Sequence, residues 1–139
     1  MNTMKSHEQE VAETILAQLG GKGFIVCTGS KNFACGKDEK GNPYLRFKLC
    51  DLRPYLPGKK VRPNLCRITL DEGADTYTVK FEYFKDQTVR FNHKTFETKV
   101  IPGKRETTYE KSDVYCDELQ NVFEQQTGLI LDLCRVRFG

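Results

Sequence analysis

Six cysteines and two histidines are the residues of this chain most apt for chemistry. Cys27, Cys35, Cys50, Cys66, Cys116 and Cys134 form no close pair. Even Cys27 and Cys35 have seven residues between them, and the histidines are His7 and His93. A structural zinc site draws four ligands into one tetrahedron from two close pairs, so this spacing predicts no metal centre. With no secretory signal in the polar stretch Met1 to Glu10, the thiols are expected to stay reduced, and most of them to act as small buried hydrophobes. Nucleophilic catalysis needs a Ser or Cys within reach of a base. Of the three serines, Ser6 falls in an expected tail, Ser112 at an expected helix cap, and Ser30 in a turn. His93 lies in a polar segment far from any core that would hold it against Cys27 or Cys35. The carboxylate pairs Asp71–Glu72 and Asp117–Glu118 fall in a turn and on a helix surface, where solvation accounts for them. No phosphate loop, metalloprotease or dinucleotide pattern is present. The expectation is a protein with no catalytic residues and no cofactor.

Binding chemistry has more to work with. Thr28-Gly29-Ser30-Lys31-Asn32 is short, polar and glycine-containing; its amides could form an anion-binding nest, or it could be an ordinary turn between strands. Lys59, Lys60 and Arg62 make a basic cluster in a proline-rich loop. Further on, Phe91 and Phe96 interleave with Arg90, Lys94, Lys99, Lys104 and Arg105. Aromatics that stack bases and cations that follow phosphates are what single-strand binding requires. Glu97, Glu106 and Glu110 dilute that charge, so a solvated hairpin with two core-facing phenylalanines is the competing reading.

The elements that position these groups follow from periodicity. Val11, Ile15, Leu16 and Leu19 lie at helical spacing, with Glu8, Glu10, Glu13 and Gln18 on the other side. Gly20-Gly21 ends that helix. Phe24 to Thr28 reads as a short buried strand, followed by Phe33 to Cys35. Tyr44 to Cys50 alternates, with Leu45, Phe47 and Leu49 on one face and Arg46 and Lys48 on the other, as in a half-buried antiparallel strand. Asp51 to Asn64, with Pro54, Pro57, Gly58 and Pro63, is a loop. Leu65 to Leu70 and Tyr77 to Phe84 are strands, the second presenting Tyr77, Val79, Phe81 and Tyr83 on one face. Thr88 to Lys111 reads as one long polar hairpin turning at Pro102-Gly103-Lys104. Ser112 or Asp113 caps a last helix with a stripe of Tyr115, Leu119, Val122 and Phe123, ended by Gly128. Leu129 to Leu133 adds a short strand or docks on the core. The order is one α+β domain over residues 1–139: an antiparallel sheet of four to six strands, with both helices on one face. The expected core is Val11, Ile15, Phe24, Val26, Phe47, Ile68, Val79, Phe81, Leu119, Val122 and Phe123.

Composition agrees with a single folded domain. Nine Phe and six Tyr in 139 residues carry a large burial payload, and no run approaches the roughly 20 apolar residues that span a bilayer. The expected location is therefore the cytoplasm, without a membrane partner. Net charge is only +3, yet residues 20–70 hold eleven Lys and Arg against three acidic residues. A basic middle third attracts nucleic acid or an acidic protein face if folding gathers it into a patch.

Three stretches, in this order, carry a family resemblance. They are Leu19-Gly-Gly-Lys-Gly-Phe24 through Thr28-Gly-Ser-Lys-Asn-Phe33, then Arg67-Ile-Thr-Leu70 with Asp75-Thr-Tyr77, then Val114-Tyr-Cys-Asp-Glu-Leu-Gln-Asn-Val-Phe-Glu-Gln-Gln-Thr-Gly128. The chain resembles a family of small proteins of phages, plasmids and integrated elements of gut bacteria. Most members have no assigned function, and some are anti-CRISPR inhibitors of type II effector nucleases. The resemblance implies a non-enzymatic phage or mobile-element protein in a bacterial host cytoplasm, bound to a CRISPR effector or another host nucleoprotein. The alternative is an accessory protein of the element that binds single-stranded DNA or RNA. The loop Asp51 to Asn64 and the hairpin Thr88 to Lys111 differ from the family's common form, so no partner contact is carried over there. A chain at +3 is no whole-protein DNA mimic, since such mimics are strongly acidic. Contact is expected through Thr28 to Asn32, Lys59 to Arg62, or Arg90 to Arg105.

Overall fold

The computed structural model describes residues 6–129. Helix α1 (His7–Leu19) opens on a reciprocal cap: Ser6 Oγ accepts from the Gln9 N–H at 3.3 Å, and Gln9 Oε1 accepts from the Ser6 N–H at 3.0 Å. This spacing of Ser and Gln is a sequence signature of a helix start, so Ser6 is a cap and not a tail residue. Gly20, at φ 134°, ends α1 as expected. The chain then turns directly into a second helix, α2 (Gly21–Thr28), where a buried strand was expected. Phe24 and Thr28, four apart, are its buried residues, whereas Val26 is 65% exposed. The apolar run is short and β-branched, which suits a strand; its burial has helical phase. Val26 alone of the expected core is outside.

A five-stranded antiparallel sheet follows in the order β1-β2-β3-β4-β7. Its strands are β1 (Lys31–Lys37), β2 (Pro43–Lys48), β3 (Leu65–Asp71), β4 (Thr76–Lys85) and β7 (Lys104–Val114). The remaining two strands, β5 (Thr88–Asn92) and β6 (Glu97–Ile101), pair with each other as a separate ribbon. The expected long hairpin is thus two structures. Its outer limb is β7, which belongs to the main sheet, and its true turn is His93 to Phe96 rather than Pro102 to Lys104. Pro102-Gly103 instead closes the base of the ribbon. A Cβ on Gly103 would come within 2.7 Å of the Lys85 carbonyl oxygen, so only glycine permits that approach.

Ser112 and Asp113 are residues of β7, not a helix cap, and Tyr115 is 58% exposed. A 3-10 turn (Cys116–Glu118) leads into α3 (Leu119–Thr127), which Gly128 ends at φ 76°. Leu129 is buried; Ile130 to Leu133 lie outside the described residues.

The sheet is two-sided. Leu45 and Phe47, Ile68 and Cys66, and Val79 and Phe81 face one another across β2, β3 and β4, and all are at most 3% exposed. Against them pack Val11, Ile15 and Leu19 of α1, Phe24 of α2, and Leu119, Val122 and Phe123 of α3. The helices therefore share one face, as expected. The rings of Phe24, Phe47, Phe81 and Phe123 join α2, β2, β4 and α3 at centroid separations of 4.9 to 6.3 Å. Polar ties add direction: the Tyr77 hydroxyl donates to Gln18 Oε1 at 2.8 Å, and Gln120 Nε2 donates to the Gln18 carbonyl at 2.9 Å. No helix among the described residues is long and apolar enough to cross a membrane.

Candidate functional site

The stretch Thr28 to Asn32 is spent on folding. Thr28 and Ser30 are buried at 2% and 4%. The Thr28 hydroxyl donates to the Phe24 carbonyl at 2.7 Å and accepts from the Ser30 N–H at 3.3 Å; the Gly29 N–H bonds the Ile25 carbonyl. Gly29, at φ 66°, closes α2, and Asn32, at φ 58°, is the extra residue of a bulge that starts β1. The Gly29 and Ser30 amides that an anion nest would need are already bonded within the protein. Of the expected exposed turn, Gly29, Lys31 and Asn32 remain at the surface.

Lys59 is exposed, while Lys60 and Arg62 do come near other cations. Arg62 is half-buried, its Nε held by the Leu56 carbonyl at 2.8 Å, which fixes the loop on itself. Lys60 and Arg62 line a cleft of about 500 Å³ with Arg53, Lys85 and Lys104. Lys85 and Lys104 stand directly opposite each other at the end of the β4–β7 ladder, a placement that destabilises a sheet. Arg53 is neutralised by Asp51, whose carboxyl its guanidinium holds below the usual range at 2.6 Å. Sequence reasoning missed Lys85 because its partner across the ladder is 19 residues away.

Arg105, expected to serve a partner, is committed inside the protein. Its Nε and Nη2 donate to Glu82 at 2.6 and 3.2 Å, and the bond holds the Glu82 carboxyl below its ordinary value. Glu82 itself is buried.

The β5–β6 ribbon keeps Arg90 and Lys94 exposed and gives them a setting. Val89 faces Val100 and Phe91 faces Thr98 on one side; Arg90 faces Lys99 on the other. The ribbon is thus apolar on one face, while the other carries Arg90 and Lys99 with Glu97 beside them. Val89, Phe91, Phe96 and Val100 are 60%, 50%, 79% and 52% exposed, so the two phenylalanines do not face the core. They gather at the tip, where His93 meets Phe91 edge-on at 4.9 Å and Phe96 meets it at 6.3 Å. Phe96 sits at φ 56°, with its N–H donating to the Asn92 carbonyl at 2.8 Å. That conformation suits glycine or asparagine, and a bulky residue held there is strained by about 1–2 kcal/mol.

The five described cysteines are free, and only Cys66 is buried; Cys27 and Cys50 are half-buried, and Cys35 and Cys116 exposed. The expectation of mostly buried thiols is corrected accordingly. Burial pushes the thiols of Cys50 and Cys66 up, away from the thiolate form that attacks. Among the described residues, no three of His, Cys, Asp and Glu gather as metal ligands.

These features define the class: an α+β protein with a polar sheet face, a basic cleft and an exposed two-faced ribbon. Compared with protein-family models, curated proteins and solved structures, the chain matches none.

Proposed function

We propose that the protein is a non-enzymatic accessory protein of a phage or other mobile element that occupies a nucleoprotein partner one for one, with the β5–β6 ribbon as its contact element. The observation that carries this reading is Phe96, a large apolar side chain 79% exposed at a backbone conformation that costs the fold. Strain of this kind persists where a surface has a use for it. A two-stranded ribbon is marginal alone, and this one leaves its apolar face uncovered; a partner that buries Phe91 and Phe96 would stabilise it. The other face, with Arg90 and Lys99, favours an acidic or nucleic-acid-bearing partner. The family resemblance supplies the identity of that partner as the effector nuclease of a type II CRISPR system. The test is DNA cleavage by purified effectors of this type, titrated with the protein at fixed enzyme. Inhibition should saturate near an equimolar ratio, and Phe91→Ser with Phe96→Ser should abolish it. Substoichiometric, time-dependent inactivation would instead make the protein an enzyme, and absence of inhibition across a panel would remove the CRISPR partner.

A second reading, an accessory protein that binds single-stranded DNA or RNA, is favoured by the same ribbon, which exposes Phe91 and Phe96 and also the cations Arg90 and Lys94. Fluorescence anisotropy across a salt series separates the two, because phosphate-driven binding weakens steeply with salt. Replacing Lys59, Lys60 and Arg62 should flatten that slope if the basic loop takes part.

A further inference from the structure

The sheet face turned away from the helices carries a row of cations. Arg46, Arg67 and Lys80 stand directly opposite one another on β2, β3 and β4, and one step nearer the ribbon Lys48 faces Lys31. Neighbouring strands lie about 4.8 Å apart, so the three-residue row spans about 10 Å. Like charges placed directly opposite destabilise a sheet, and here they recur over three adjacent pairs. Among the described residues none of these five cations forms an ion pair. Glu82, bonded to Arg105, also has its carboxyl lowered by the nearby charges of Lys80 and Arg67, and Glu110 stands opposite Lys80. Asp38, Asp71 and Asp113 line one cleft with Arg67, Lys80 and Glu110, so the row is basic on its Arg46 and Lys48 side and mixed in charge on the other. Arg67 is central: its Nε is buried without a hydrogen-bond partner, and its guanidinium lies 4.5 Å from the Tyr44 ring centroid. A second ring, Phe84, is 38% exposed and lies on the same face beyond Glu82.

We propose that this face binds single-stranded nucleic acid, with Arg46, Arg67 and Lys80 on the phosphates and with Phe84 and the Arg67–Tyr44 stack offering surfaces to bases. Fixed cations flanked by rings are the two components that single-strand binding combines. A protein partner fits less well. Protein interfaces have an apolar core, whereas between the two rings this face holds Leu65 as its one large aliphatic side chain; interfaces with nucleic acid are more polar and more basic. The site stands apart from the ribbon and does not rest on the identity of the ribbon's partner.

The experiment is anisotropy of a labelled oligothymidylate of about 15 nucleotides with the full chain, across a salt series. The combined variant Arg46→Gln, Arg67→Gln, Lys80→Gln should lower the slope of log K against log salt by about 2, since a single strand gives about 0.7 per phosphate contact. Tyr44→Leu with Phe84→Leu should weaken binding about tenfold and leave the slope unchanged, which separates stacking from phosphate contact. Because the row is repulsive, the Gln variant should melt at or above the wild-type temperature; a clearly lower melting point would mean that the row serves the fold and would overturn the proposal. So would an unchanged slope, equal competition by duplex DNA, or equal competition by polyglutamate, the last marking an acidic protein surface as the ligand. Phe91→Ser with Phe96→Ser should leave oligonucleotide binding intact. A loss confined to that variant would move the site to the ribbon, so this proposal and the ribbon's role fail separately.

Discussion

Replacing Arg105 with alanine should destabilise the protein at neutral pH and cease to matter in acid. Glu82 is 5% exposed at its side chain and Arg105 is 52% exposed, so the pair has one buried and one wet partner. Two charge-assisted bonds at 2.6 and 3.2 Å are lost in the variant, and the carboxylate stays buried. Hydrogen bonds to charged groups contribute about 1.5–3 kcal/mol; with the guanidinium half in water the lower end applies, about 1.5 kcal/mol. For a domain of this size each kcal/mol moves Tm by about 3–5 °C, which gives a fall of about 5–8 °C at pH 7. The sign of the pH dependence follows from Glu82, whose folded pKa Arg105 lowers from the ordinary 4.5. A lowered carboxyl pKa contributes stability that is fully present above the unfolded value and is lost as pH falls through the folded one. The gap between wild type and variant should therefore be constant from pH 7 to about 5 and close below about 4. Thermal unfolding by circular dichroism across pH 3 to 7 measures it. An unchanged Tm at pH 7, or a gap that persists undiminished at pH 3, would refute the assignment of Arg105 to the fold. The double variant Glu82→Gln, Arg105→Gln should recover part of the loss.

Further predictions concern the fold. Phe24→Ala should cost about 3–5 kcal/mol because its buried ring packs on those of Phe47 and Phe123, while Val26→Ser should stay within about 0.5 kcal/mol; equal losses in urea unfolding would restore the strand reading of Phe24 to Thr28. Gly128→Ala should destabilise by more than about 1 kcal/mol, since φ is 76° and a Cβ would run into the Tyr55 carbonyl oxygen; a neutral result by the same assay would contradict that packing. Lys85→Glu, placed opposite Lys104, should stabilise by about 0.2–1 kcal/mol, read as a small rise in Tm; a fall would show that the two lysines are not paired across the ladder.

Much of the framework is legible locally. Alternation in Tyr44 to Cys50 and Tyr77 to Phe84 marks β2 and β4 and tells the buried side chains from the wet ones, because a period of two needs no partner to be seen. Phe24 to Thr28 misleads, since Phe, Ile, Val, Cys and Thr favour strands and five residues are too few for periodicity to decide. The ribbon misleads for another reason: its turn, His93 to Phe96, contains neither glycine nor proline, while Pro102-Gly103 marks a crossing at its base. Arg46 and Lys48 are visible as an outward face, but the row they join appears only when register sets Arg67 and Lys80 beside them. Register between strands is a long-range property, and so are like-charge pairs. Arg105 carries no local sign that a carboxylate 23 residues earlier will claim it.

The ribbon leaves the main sheet at Lys85 and returns at Lys104, residues already paired with each other across the ladder. The excursion between them is therefore a detachable module: the ends it joins are held in place by the strands, not by the ribbon. Residues 86–103 contribute nothing to the hydrophobic core, so shortening them to a tight turn, or exchanging them for another ribbon, should leave the helices and five strands folded. The tip can then vary in sequence at little risk to folding, and the body becomes a chassis on which different tips are presented.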